Sequence, residues 1–244
     1  MSRALPSLAV PLKAIAILTT VLATALAACH SDPTGPSESD CSACLEPQIL
    51  DVLTTHIHDL EASANLLTGH PSEREMVCFF SAPGLTGDYG VPAAFIFPVE
   101  VCSKPVQFDP YCEDNRCSRL SCTGEGAGWV VSYYLEQPAS YSTFQFASAR
   151  LDCAWRESAP GISFTVQTLA TDAQGRRWDM AGSGTMDPNA LDATETFPAL
   201  CPRGALALRV RSSPSGGEAT LSLGGVPIAV LDASEKLVPT GSCR

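Results

Sequence analysis

The sequence predicts a mostly β, antiparallel fold: a β-sandwich or curled sheet with one N-terminal amphipathic helix, stapled by disulfides. Three observations carry that expectation. Apolar residues in the later part of the chain alternate with polar ones at a period of two. One segment nearer the N-terminus repeats instead at helical spacing. Eleven cysteines are spread through the 244 residues. Strands follow one another without the crossover helices that a parallel sheet needs, so the pairing is antiparallel.

The first segment is a leader. Arg3 and Lys13 are its charges, and Ala14 to Ala28 is apolar apart from three threonines. About fifteen residues suit a signal-peptide core but fall short of the ~20 that cross a bilayer as a helix. The run closes on Leu26-Ala27-Ala28-Cys29, which resembles the lipobox of bacterial lipoproteins: a branched apolar residue, two small residues, then cysteine. The resemblance implies cleavage between Ala28 and Cys29 and acylation of Cys29, with more than one chain giving a stable membrane anchor. A plain secretory cut after Ala27 is the rival reading. With His30 rather than Asp after the cysteine, the resemblance also favours the outer over the inner membrane of the cell envelope. It covers residues 1–29 and implies nothing about the body.

Residues 29–40 read as a tether. After Cys29 they run HSDPTGPSESD, with two prolines and no large apolar side chain to offset chain entropy. The body, 41–244, reads as a single domain. Loss of Arg3 and Lys13 with the leader takes the formal charge from −11 to −13. Phosphate backbones would repel such a surface, so nucleic acid is not an expected partner.

With Cys29 set aside, ten cysteines remain: Cys41, Cys44, Cys78, Cys102, Cys112, Cys117, Cys122, Cys153, Cys201 and Cys243. An even number in an exported chain reads as structural disulfides, with a pairing that spacing cannot decide. Seven lie in 41–122 and three in 153–243. Both counts are odd, so if all pair, at least one bridge joins the two parts, which favours one domain.

Leu45 to Leu67 is the helix. Ile49, Leu53, Ile57, Leu60, Ala64 and Leu67 fall on one face, Pro47 suits the first turn, and Gly69 is a stop. Strand candidates follow at Met76–Ser81, Ala93–Cys102, Gly128–Glu136 and Thr143–Cys153. Further on, 162–171 and 178–185 flank a turn at Asp172–Arg177, and alternation marks 206–211 and 218–223. Gly224-Gly225 predicts a tight hairpin into 226–230, where Pro227 suggests an edge strand.

Chemistry is harder to find. Cys41-Ser42-Ala43-Cys44 ahead of a helix could host thiol–disulfide exchange, but no strand precedes it as in thioredoxin-type enzymes, and a staple is the simpler reading. Cys112, Cys117 and Cys122 could be drawn as a zinc cage, yet in an oxidising compartment cysteines bridge instead. His56 and His58 sit two residues apart, about 200° around a helix, so they cannot share an ion; His70 falls past the helix end. The cluster Asp109, Glu113, Asp114 and Asn115 lacks the spacing of a calcium loop. Gly182-Ser183-Gly184 is the nearest thing to a nucleophile elbow, but it lies in a predicted strand. Trp129, Tyr133, Tyr134, Tyr141, Phe144 and Phe146 could form a sugar- or peptide-binding platform, with core packing the simpler account.

No catalytic residue, metal ligand or cofactor is therefore assigned. The sequence points to a lipid-anchored envelope protein that binds or scaffolds a protein or glycan without catalysis. The alternative is an envelope enzyme, either a thiol–disulfide exchanger at Cys41/Cys44 or a hydrolase of wall or polysaccharide.

Overall fold

Both periods of the sequence appear in the computed structural model. It describes residues 38–68, 75–84, 93–98, 106–107, 111–113, 116–125, 128–141, 143–156, 159–187 and 189–241. The leader, the Ala28–Cys29 junction and residues 29–37 lie outside these, as do Cys102 and Cys243. Pro36–Arg244 forms one compact unit.

Among the described residues two helices come first, α1 (Glu38–Cys44) and α2 (Pro47–Thr68). The sequence suggested a single helix, with tether up to residue 40. Instead α1 begins inside that stretch, and its end is fixed by the burial of Cys41 and Cys44. Pro47 opens α2, where a missing N–H costs nothing, and the Glu46 carbonyl accepts from Ile49 and Leu50. Ile49, Leu53, Ile57 and Leu60 are buried on one face, as their spacing requires.

The rest is strand. β1 (Glu75–Phe80) and β2 (Ala93–Pro98) pair by themselves as an antiparallel ribbon. The main sheet contains β3 (Val106–Gln107), β4 (Tyr111–Glu113), β5 (Arg116–Glu125), β6 (Gly128–Leu135), β7 (Ala139–Tyr141), β8 (Phe144–Arg156) and β9 (Ala159–Asp172). It continues through β10 (Met180–Asp187), β11 (Ala190–Phe197), β12 (Leu206–Ser213), β13 (Gly216–Leu223), β14 (Val226–Leu231) and β15 (Leu237–Pro239). Its path runs β15-β14-β13-β12-β11-β10-β9-β8-β6-β5-β3, with β4 beside β5 and β7 beside β8, and its ends do not meet. Every pairing is antiparallel, so the expected mostly β fold is what forms.

Expectations about the strands are corrected as well. Pro227 does not mark an edge: β14 lies between β13 and β15. The proline is tolerated because its strand shifts register beside it and β15 pairs only from Ala229 onward. Another concerns β11, which the alternation did not reveal. Its inward residues are Leu191, Ala193, Glu195 and Phe197, and a glutamate at an inward position hides the period.

One face of the sheet is covered. Across adjacent strands, Val131, Cys153, Phe164, Gly184, Ala193, Val210 and Ala219 stand in one row. Leu151, Val166, Gly182, Glu195, Leu208 and Leu221 stand in the next. α2 lies on this face and touches β10, β11 and β15. Trp178 is fully buried between Phe144 and Phe197, and its indole N–H donates to Asp172 Oδ2 at 2.9 Å. The opposite face is wet, and Arg209, Thr194, Ser183 and Thr165 cross it in register.

Candidate functional site

A buried polar chain crosses the helix–sheet interface. His56, on the inner face of α2, is 1% exposed, and Glu195 of β11 is wholly buried. His56 Nε2 lies 2.7 Å from Glu195 Oε2, and its Nδ1 lies 3.1 Å from Ser81 Oγ, just beyond β1. An imidazole with its proton on Nε2 donates to the carboxylate and accepts the serine hydroxyl proton at Nδ1. Gly182 makes this possible: a Cβ there would come 2.7 Å from Glu195 Cγ. The second carboxyl oxygen, Glu195 Oε1, and Thr168 Oγ1 are buried with no hydrogen-bond partner among the described residues.

Hydroxyl, imidazole and carboxylate in that order are the parts of an acyl-transfer triad. Here they are sealed. The cavity beside Ser81, walled by Leu60, Ser63, Leu151, Ile162, Phe164 and Met186, measures about 10 Å³. That is room for one water and for no acyl substrate. The chain works as a polar junction tying α2, β1 and the main sheet together.

The sequence singled out none of the three as a functional group. On the sequence His56 offers only a metal-ligand reading with His58, and the two do stand on different sides of α2. His58 is half-buried on another side of α2, where Nε2 donates to the Glu235 carbonyl at 2.9 Å. The helical spacing of His56 with Leu53 and Leu60 could have revealed its burial. Glu195 and Ser81 carried no such signal.

The accessible candidate is on the wet face. A groove of about 530 Å³ opens over β6, β8, β9, β10 and β11. At its centre Ser163 pairs with Thr185 and Thr165 pairs with Ser183, a two-by-two array of exposed hydroxyls. Asp152 stands beside Thr165 and Asp192 beside Thr185. Arginines hold both carboxylates. Arg150 donates to Asp152 at 2.8 and 3.1 Å, and Ser132 also donates to it. Arg209 donates to Asp192 at 3.1 Å, with Arg211 Nε 3.6 Å away. Val130 and Ala154 supply a small apolar floor.

Cys44 is bonded to Cys201 across 157 residues. This bridge joins the two cysteine groups, the crossing that two odd counts require if every cysteine pairs. It also corrects the exchange reading of the CxxC motif, which does not close on itself; Cys41 and Cys44 both lie in α1, 2% and 0% exposed. Cys41, Cys122 and Cys153 are disulfide-bonded as well, which removes Cys122 from any zinc cage. Cys78 lies in β1, and Cys112 and Cys117 face one another in the register of β4 and β5. His70, Asp109, Asp114 and Asn115 lie outside the described residues.

Ser183 lies in β10, not on an elbow, with a glycine on either side. Of the aromatic group, Tyr133, Phe144 and Phe146 are buried core, and Trp129 stacks on Trp155 at 4.8 Å on the covered face. Tyr134 takes the wet face, where its hydroxyl accepts from Gln107 at 3.2 Å. Compared with known proteins, the chain matches no family model, no curated protein and no solved structure.

Proposed function

We propose that the chain is a lipid-anchored lipoprotein of the cell envelope, cut before Cys29 and acylated there, whose body is a binding domain without catalytic activity. The Leu26-Ala27-Ala28-Cys29 motif and the proline-rich segment after it support the anchor, with His30 favouring the outer membrane. Bridged cysteines in the body suit an oxidising compartment.

The observation that carries the binding reading is a contrast in access. The groove on the wet face is open, whereas the hydroxyl–imidazole–carboxylate chain is sealed. Hydrolysis of a glycoside in the groove is disfavoured by spacing. Asp152 and Asp192 stand on strands three apart in the sheet order, roughly 14 Å across at the usual strand spacing. Carboxylate pairs that cleave glycosides stand about 5 to 9.5 Å apart.

The test is the intact mass of the protein taken from its native membrane, with thiol alkylation before and after reduction. The expected result is a gain of two or three acyl chains on Cys29 and no alkylated cysteine before reduction. A chain beginning at another residue, or Cys29 without lipid, overturns the anchor. Free thiols at Cys41 and Cys44 would restore the exchange reading.

A further inference from the structure

We propose that the groove on the wet face is a binding site for a neutral polyhydroxyl ligand, a glycan segment. This rests on the binding-domain reading above and deepens it. The argument starts from the four hydroxyls of Ser163, Thr165, Ser183 and Thr185. They come from two adjacent strands, opposite in register and two residues apart along each, so they form a patch and not a line. All four are exposed, and among the described residues none has a side-chain partner. Each can donate one hydrogen bond and accept two, which matches a ligand dense in groups of the same kind.

Charge narrows the class. The carboxylates of Asp152 and Asp192 stand at opposite corners of the patch, each inside an ion pair whose charges cancel, so an anionic ligand finds no unpaired cation there. A cationic ligand finds each carboxylate already held by a guanidinium, from Arg150 on one side and Arg209 on the other. The carboxylates keep acceptor capacity for O–H donors, since a carboxylate takes several hydrogen bonds and its arginines fix its orientation. A neutral ligand with many hydroxyls uses every group present and pays no charge penalty. The floor of Val130 and Ala154 gives its C–H faces a small apolar rest. The groove is shallow and open, so a ligand is contacted from one side only. Among the described lining residues no aromatic side chain lies on the wet face, so binding is expected to be weak, with a Kd of about 1 mM.

The experiment is saturation-transfer NMR on the full chain in zwitterionic detergent, with chitotriose and maltotriose as neutral probes. Trilysine and trigalacturonate are the charged competitors. Saturable transfer to at least one neutral trisaccharide is expected. In the variant Thr165→Val/Ser183→Ala/Thr185→Val that affinity falls about tenfold, the loss of two or three modest hydrogen bonds. All three positions are exposed, and an unchanged melting temperature in the variant verifies the fold. No transfer to either neutral probe, or transfer that the variant leaves intact, overturns the proposal. Hydroxyl-dependent binding of a charged probe instead overturns the ligand class while leaving the groove as a binding site. Silence from all four probes sinks the groove as a site, and the mass measurement still decides the anchor separately.

Discussion

Glu195 is buried on a strand whose other inward residues are apolar, and His56 is the group that makes that position tolerable. A carboxyl in an apolar interface is costly unless it is paired. His56→Ala is therefore expected to lower unfolding stability by about 3–5 kcal/mol, because it strands Glu195. Replacing both with apolar residues, His56→Leu/Glu195→Met, should cost less than the single change, since it removes the desolvated pair altogether. Urea denaturation of the two variants reads the comparison. A double variant less stable than the single one would mean that Ser81 and Glu195 hold the interface without His56. The same residues show where sequence reading stops. Ile49, Leu53 and Ile57 announce their burial by spacing. Glu195 and Ser81 belong to no pattern, because a polar contact between residues 139 and 25 positions away from His56 is created by the fold alone.

α2 as an element is amphipathic, but its boundary with the sheet takes in more than apolar groups. Asp59 and Glu61 lie along it, and burial raises the carboxyl of each above its ordinary value. For Asp59, His56 and His58 partly offset the shift; for Glu61, His58 does so while Glu235 adds to it. A carboxyl whose folded pKa is raised binds its proton more tightly when folded. Its contribution is present at low pH and is lost as pH rises through the folded value. Asp59→Asn is therefore expected to melt above the parent at neutral pH, with the gap closing as the pH falls below the ordinary carboxylate range. Thermal melts across that range check it, and a variant that melts lower at neutral pH refutes the assignment. Asp232, exposed in the turn before β15, has the opposite sign. The hydroxyl of Ser234 and the backbone N–H groups of Lys236 and Ser234 lower its pKa, and that support is lost on acidification. At this scale the sequence was most legible. α2 and most of the long strands stand near their expected places. β11 was hidden by Glu195, the ten-residue β5 by a sequence (RCSRLSCTGE) with a single large apolar residue, and the short strands β3, β4, β7 and β15 by their length, since two or three residues cannot display a period.

At the scale of the described domain, most successive strands of the long sheet are neighbours, and α2 is laid back over strands much later in the chain. Local pairing can build the sheet, but nothing local brings α2 to β10, β11 and β15. The Cys44–Cys201 bridge is placed to do so, tying the end of α1 to the segment between β11 and β12. The parity of the cysteine counts implied such a crossing; which pair makes it depends on the three-dimensional path. A bridge that closes a loop of 157 residues restricts the unfolded chain strongly, and the chain-entropy estimate for such lengths is about 5 kcal/mol. Measured effects of removing a native disulfide are about 2–5 kcal/mol. Cys44→Ala/Cys201→Ala is expected to lose stability within that range. Hydrogen exchange should then rise first in α2, because the sheet keeps its own ladder when the helix loses its tie. Exchange that rises uniformly across sheet and helix would instead make the bridge a support of the whole domain.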